Sequence, residues 1–331
     1  MLGYVLARAG IDVTVLEKWP DFFRDFRGDT IHPSTMNILD ELGLLDEFLS
    51  LPIEKTYKLG IHIDKEEVTL ADFSHTKMKT PFIAFIPQWD FLNFMVKHAS
   101  AYPHFHIFME TEAVELIRDK NKVTGVIAQH KEESFRIHAD LVVGADGRHS
   151  TIREKAGFKV EDFGAPMDVL WFRIPREQTD EKQTIGTVEK GHMMIMIERG
   201  DYWQCGFVIP KGRFEELKAE GLEQFHARIA ELAPFLGERA RSIQSWDDVK
   251  SLVVTVDRLS NWAKEGVVCI GDAAHAMSPI AGVGINLAVQ DAVAAANILV
   301  PAFKHGRPSL IDLHMIQKRR MFAVKATQFI Q

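Results

Sequence analysis

Two segments of this chain share one local design, and it restricts the fold more than any other feature. Residues 141–154 (LVVGADGRHSTIRE) and 267–292 (VVCIGDAAHAMSPIAGVGINLAVQDA) each open on a short β-branched run, break at a Gly/Asp turn and continue as a helix-like stretch. A strand that ends in a tight turn and hands over to a helix is the repeating step of α/β proteins with parallel strands. The N-terminal stretch carries part of the same step. Leu2 to Ala9 reads helical, Gly10 suits its C-terminal stop, and IDVTVLEK is a buried strand closing on Glu17.

Between the two signature segments the pattern changes. MDVLWFRIP, QTIGTVEKG, HMMIMIERG and YWQCGFVIPKG read as antiparallel strands, followed by the helical RFEELKAEGLEQFHARIAELAP. The expected organisation is a discontinuous α/β domain of residues 1–158 and 259–331, interrupted by an antiparallel α+β domain of residues 159–258. Within the first, Pro33 and Ser34 open a helix that buries Met36, Leu39 and Leu42, and Gln88 opens another. The polar links DKNK and KEES join three strand candidates as hairpin turns.

At 331 residues the chain can bury a substantial core, and its formal net charge of −7 argues against a dedicated nucleic-acid binder. Its two cysteines, Cys205 and Cys269, sit in apolar strand-like runs and read as buried thiols. His104 and His106 alternate on a strand with no third ligand at metal spacing, so no metal site is expected. MLGYVLARAG lacks the basic region of a signal peptide, and uninterrupted apolar runs fall short of the roughly 18 residues of a membrane span. A cytoplasmic location follows as the default.

A dinucleotide-binding unit runs strand, Gly-rich turn, helix, second strand, acid. Here the helix, second strand and acid are present, without the first strand and the G-x-G-x-x-G turn. A carboxylate at Glu17 can accept from both hydroxyls of an unphosphorylated adenosine ribose, although many surface strands also end in Glu. With G-A-D-G-x-x-S-x-x-R (from Gly144 to Arg153) and G-D-A-A-H followed by P-x-x-G-x-G-x-N (Pro279 to Asn286), the chain resembles the FAD-dependent aromatic hydroxylases, the single-component flavoprotein monooxygenases. The resemblance covers nearly the whole chain. It implies a Rossmann-like FAD-binding fold, incomplete because its first strand and turn are missing, with an inserted substrate domain. It also implies a chain shortened at its N-terminus and, from its abrupt last helix, at its C-terminus, with a large apolar surface bared where the strand is absent.

The resemblance assigns cofactor contacts residue by residue. Arg27, before Gly28, would reach the ribose and diphosphate side of FAD, with Arg24 a nearby competitor; Gln88 would reach the diphosphate or ribityl region. Asp146 and Gly147 would line the diphosphate and are linked to NAD(P)H binding, with Arg148 and Arg153 adding positive charge. Asp272, after Gly271, would accept from a ribityl hydroxyl. The loop holding Pro279, Gly282, Gly284, Ile285 and Asn286 would bring bare backbone and a helix N-terminus to the isoalloxazine, favouring negative charge on the reduced ring. His275 reads as scaffold.

The implied reaction is hydride transfer from NADH or NADPH to FAD, formation of a flavin C4a-hydroperoxide with O2, and hydroxylation of an electron-rich aromatic substrate. A homodimer is left open. Catalytic side chains are not evident. Trp171, Phe172, Met194, Met196, Trp203 and Phe207 are candidates for a cavity lining and equally for a sheet core. Two alternatives stand beside this reading: an FAD-dependent reductase or dehydrogenase that does not use O2, and a truncated, non-catalytic remnant unable to hold FAD. A flavin-dependent halogenase is disfavoured, because the segment from Leu170 to Pro175 lacks both tryptophans of a W-x-W-x-I-P motif.

Overall fold

The computed structural model describes residues 1–23, 30–63, 66–180 and 184–331. They form two compact units, one of Met1–Pro52, Ile86–Gly164 and Thr255–Gln331, the other of Ile53–Phe85 and Ala165–Val254. The second unit thus includes a segment that the sequence pattern places in the first. The reason is strand pairing: Lys58–Ile63 runs parallel to Ile185–Glu189, with His62 opposite Thr187, and so joins the inserted sheet.

In the first unit the parallel pairing comes in two pieces. Val13–Leu16 pairs with Phe105–Phe108, and Val142–Gly144 pairs with Val267–Cys269. An antiparallel meander of Thr111–Asp119, Lys122–His130 and Glu133–His138 lies between them in sequence. The long helix Gly284–Lys304 is central. Its Ala292, Ala295, Ala296 and Leu299 pack with Leu6 of the first helix and with Leu313 and Ile316 of the last. Small residues let these backbones approach closely. The segment Ile280–Lys304 is long and apolar enough to cross a membrane; its most apolar 18-residue stretch has mean hydropathy 1.6, and half of that stretch is buried.

Val13, Val15, Leu16, Leu141 and Val143 are half-buried, because Val13, Leu141 and Val143 pack with Leu2, Val5 and Ile11 around Leu6, Ala263 and Val268. The last helix, Leu310–Ile330, instead carries exposed Ile311, Phe322 and Phe329.

The second unit is built on a seven-stranded sheet in the order Lys250–Leu252, Met167–Pro175, Tyr202–Pro210, His192–Glu198, Ile185–Glu189, Lys58–Ile63, Glu66–Asp72. Alternation puts Leu170, Phe172, Met194, Met196, Trp203, Cys205 and Phe207 on one face, against Phe225 and Ile229 of helix Leu222–Leu232. Phe225 is fully buried and meets Phe172, Phe207 and Trp246 at ring-centroid distances of 5.4, 5.3 and 5.4 Å. Phe225→Ala should therefore cost about 3–5 kcal/mol; a urea midpoint unchanged from wild type would refute this packing.

Candidate functional site

Because Val142–Gly144 and Val267–Cys269 are parallel, with Gly144 opposite Cys269, the turns that follow them leave the sheet at the same end. Gly144 is needed for that closeness: a Cβ there would lie 2.9 Å from Ile152 Cγ2 and 3.0 Å from Cys269 Sγ. Arg148 reaches from the first turn to within 3.7 Å of the Asp272 carboxylate in the second. Arg153 donates to the Arg148 carbonyl and lies 3.4 Å from Asp257, which also accepts the Ala276 N–H. The two sequence motifs are thereby one site.

Asp146 shapes its own turn. One carboxylate oxygen accepts the Ser150 hydroxyl and the other the Ile152 N–H at 3.1 Å, while Ser150 caps helix Thr151–Lys155. Gly147 follows with φ +85° and open space where a Cβ would stand. At the second turn, Gly271 is left-handed (φ +58°) and packs against Ala288. Helix Gly284–Lys304 then begins behind Val283 with no side-chain cap and no acidic residue in its first turn. Among the described residues no side chain takes its first N–H groups, and these and the positive end of its dipole can serve another partner. Among the described residues, Asp272 Oδ1, at 3.9 Å, is what approaches the place where a Gly284 side chain would be. This is a bare, electropositive backbone surface beside a carboxylate, and it fits a planar cofactor with a polyol arm.

Asn286 clasps its own segment. Its side chain is buried; Oδ1 accepts the His32 N–H at 2.8 Å and the Thr35 hydroxyl at 2.7 Å, and Nδ2 donates to the carbonyls of Thr30 at 2.9 Å and Gly282 at 3.1 Å. All four of its hydrogen-bonding positions are used, so the side chain clasps the loop and only its backbone remains for a ligand. Pro279 and Ile285 are half-buried on the same loop. Glu17 ends its strand, and its carboxylate accepts the Trp19 N–H at 3.0 Å. Gln88 is the first residue of helix Gln88–Ala99. Arg27, with Arg24 and Gly28, lies outside the described residues. Both cysteines are buried, and burial pushes the Cys269 thiol up to about 12.

Of the six candidate lining residues, five belong to the core face against the helix. Trp171 lies on the other face of the sheet, beside Ile83, Phe85 and Ile197, its ring over Gly206, where a Cβ would be 3.1 Å away. In the same unit, burial first and Glu198 second push the Glu54 carboxyl up to about 7, against the opposing pull of Arg199 and Arg176. Folding therefore favours protonated Glu54; the stability it adds is complete below the usual 4.5 and is lost as pH rises through about 7. Glu54→Gln should leave stability unchanged at pH 4 and raise it at pH 8. Equal urea midpoints at pH 8 would count against this.

A parallel strand ending in Gly-Asp, an uncapped helix N-terminus and glycines that bare the backbone together define a nucleotide-cofactor-binding α/β protein. Residues 1–330 match the family described as FAD binding domain, and the chain belongs to that family, that of the FAD-dependent aromatic monooxygenases. It is 29% identical over 327 residues to 6-methylpretetramide 4-monooxygenase of Streptomyces rimosus, covering 96% of this chain and 77% of that protein. It is 23% identical to para-nitrophenol 4-monooxygenase of Pseudomonas sp. (strain WBC-3), covering 96% and 79%. The crystal structure of PqsL, a probable FAD-dependent monooxygenase from Pseudomonas aeruginosa, superposes with a TM-score of 0.82 at 20% identity, covering 98% of this chain and 89% of that one.

Ala281 and Gly282 both take the left-handed conformation (φ 59° and 58°), and a Gly282 Cβ would fall 1.9 Å from Thr30 Oγ1. Substitution should act with opposite signs. Ala281→Gly should stabilise the chain by about 0.5–1 kcal/mol, and Gly282→Ala should destabilise it by at least about 1–2 kcal/mol. Thermal midpoints that move the same way would contradict this loop geometry.

Proposed function

We propose that this chain is an FAD-dependent hydroxylase that uses NADH or NADPH and O2 to place one oxygen atom on an electron-rich aromatic small molecule. The observation that carries the reading is the joined pair of turns, with Asp272 beside the uncapped start of helix Gly284–Lys304. FAD, when bound, supplies the hydride acceptor and the centre that activates O2.

The chain's own residues bind and orient. Asp272 would accept a ribityl hydroxyl, and the N–H groups from Gly284 to Asn286 would donate to the carbonyl edge of the ring system. Gly147 and Arg148 would face the diphosphate, with Glu17 at the adenosine ribose and Gln88 and Arg27 further contacts. The Trp171 face of the second unit would serve as an aromatic platform for substrate. The same reading includes a cytoplasmic enzyme, without a membrane span or nucleic-acid partner, that is free to form a homodimer. Its support is the buried state of both thiols and the formal charge of −7.

Titration with FAD, followed by flavin fluorescence and visible absorption, should give saturable one-to-one binding. Asp272→Ala should weaken it about 10-fold or more, in line with a lost charge-assisted hydrogen bond. NAD(P)H oxidation should consume O2 and accelerate with a phenolic substrate. Turnover without O2 uptake would indicate a reductase. A folded chain that leaves FAD free would be the non-catalytic remnant.

A further inference from the structure

The Gly271–Asp272 turn is held from behind by a buried carboxylate. Asp291, within helix Gly284–Lys304, is 0% exposed. Its Oδ2 accepts the Gly271 N–H at 2.9 Å and faces His275 Nε2 at 2.6 Å. Its Oδ1 accepts the Arg320 Nε–H at 2.6 Å, and Arg320 also donates to Gln290 at 3.0 Å. His275 is itself buried, its ring against Trp262 at 5.0 Å. Three donors from three segments thus converge on one side chain: the turn, the short strand His275–Ala276 and the last helix.

A charge this deep costs a great deal unless it is paired and hydrogen-bonded. Burial works to raise the Asp291 pKa, but His275, Arg320 and the Gly271 N–H outweigh it and hold the carboxyl below its usual range. The Gly271 carbonyl accepts the Ala274 N–H at 2.8 Å and its left-handed backbone presses on Ala288, so the Asp291 contact to its N–H completes the fixing of this peptide. Where its N–H is fixed, the carboxylate of the next residue is fixed too. We propose that Asp291, with Arg320 as counter-ion, is a positioning residue for the cofactor: by holding the Gly271 N–H it keeps Asp272 beside the open helix start at Gly284. The cofactor part of this claim rests on the FAD reading above.

The test uses the full chain and two double variants that remove both buried charges together. Asp291→Leu/Arg320→Met leaves the Gly271 N–H without an acceptor; Asp291→Asn/Arg320→Met restores an amide oxygen for it. Two quantities are read: amide hydrogen exchange at Gly271 without cofactor, and the Kd for FAD. The Leu/Met pair should speed exchange at Gly271 and raise Kd, each by 10-fold or more. The Asn/Met pair should recover both to within about 3-fold of wild type. Exchange and Kd within 2-fold of wild type in the Leu/Met pair would overturn the proposal. If that pair does not fold, Asp291→Ala/Arg320→Met against Arg320→Met decides: exchange at Gly271 that is 10-fold or more faster in the former supports the proposal, and equal exchange overturns it. A wild-type chain that binds no FAD would sink the functional reading, while Gly271 exchange would still decide whether Asp291 holds the turn.

Discussion

Three residue pairs, Val142 with Val267, Val143 with Val268 and Gly144 with Cys269, join segments that lie 125 positions apart. The site depends on that short parallel ladder. Because the strands run the same way, their C-terminal ends coincide, and each ends in a turn that would otherwise be an ordinary surface bend. Arg148 and Asp272 face one another only because the ladder is in this register. A slip of one residue would exchange Val267 and Val268 between the two clusters they fill on opposite faces of the ladder and separate the two turns.

Around this ladder the polar groups are divided between building and binding. Asp146, Asn286 and Asp291 have their oxygens taken by protein donors. Among the described residues, nothing covers the unsubstituted backbone at Gly147, and no side chain caps the first N–H groups of the long helix that starts at Gly284. Committed side chains make a rigid frame, and a rigid frame can present backbone donors without reorganisation when a charged ligand arrives.

The sequence disclosed the α/β class, the inserted sheet and both motifs, since each rests on local features: a β-branched run, a glycine at a turn, an alternating strand. What it could not disclose came from partners far away in the chain. Asn286 looks like a ligand in its motif, and only Thr30, His32 and Thr35 reveal it as a clasp. Asp291 lies in the apolar run LAVQDAVAAA, where a lone carboxylate signals a buried counter-ion, but nothing local names Arg320 as that ion. Ile53–Phe85 reads as part of the first domain until its parallel pairing with Ile185–Glu189 is seen. Trp171 and Phe172 are adjacent and chemically alike, and strand parity alone sends them to opposite faces.

The interruption of the first unit also bears on how the chain acquires its structure. Val142 cannot find Val267 until the whole of Ala165–Val254 has been synthesised, so the decisive ladder is a late and non-local event. Half of the pairings in the inserted sheet join strands that are consecutive in the chain, such as Met193 opposite Val208 across one turn, and these can form early. Once compact, the sheet shortens the effective loop that must be closed. Lesions in its aromatic core would then delay that closure and slow maturation of the ladder.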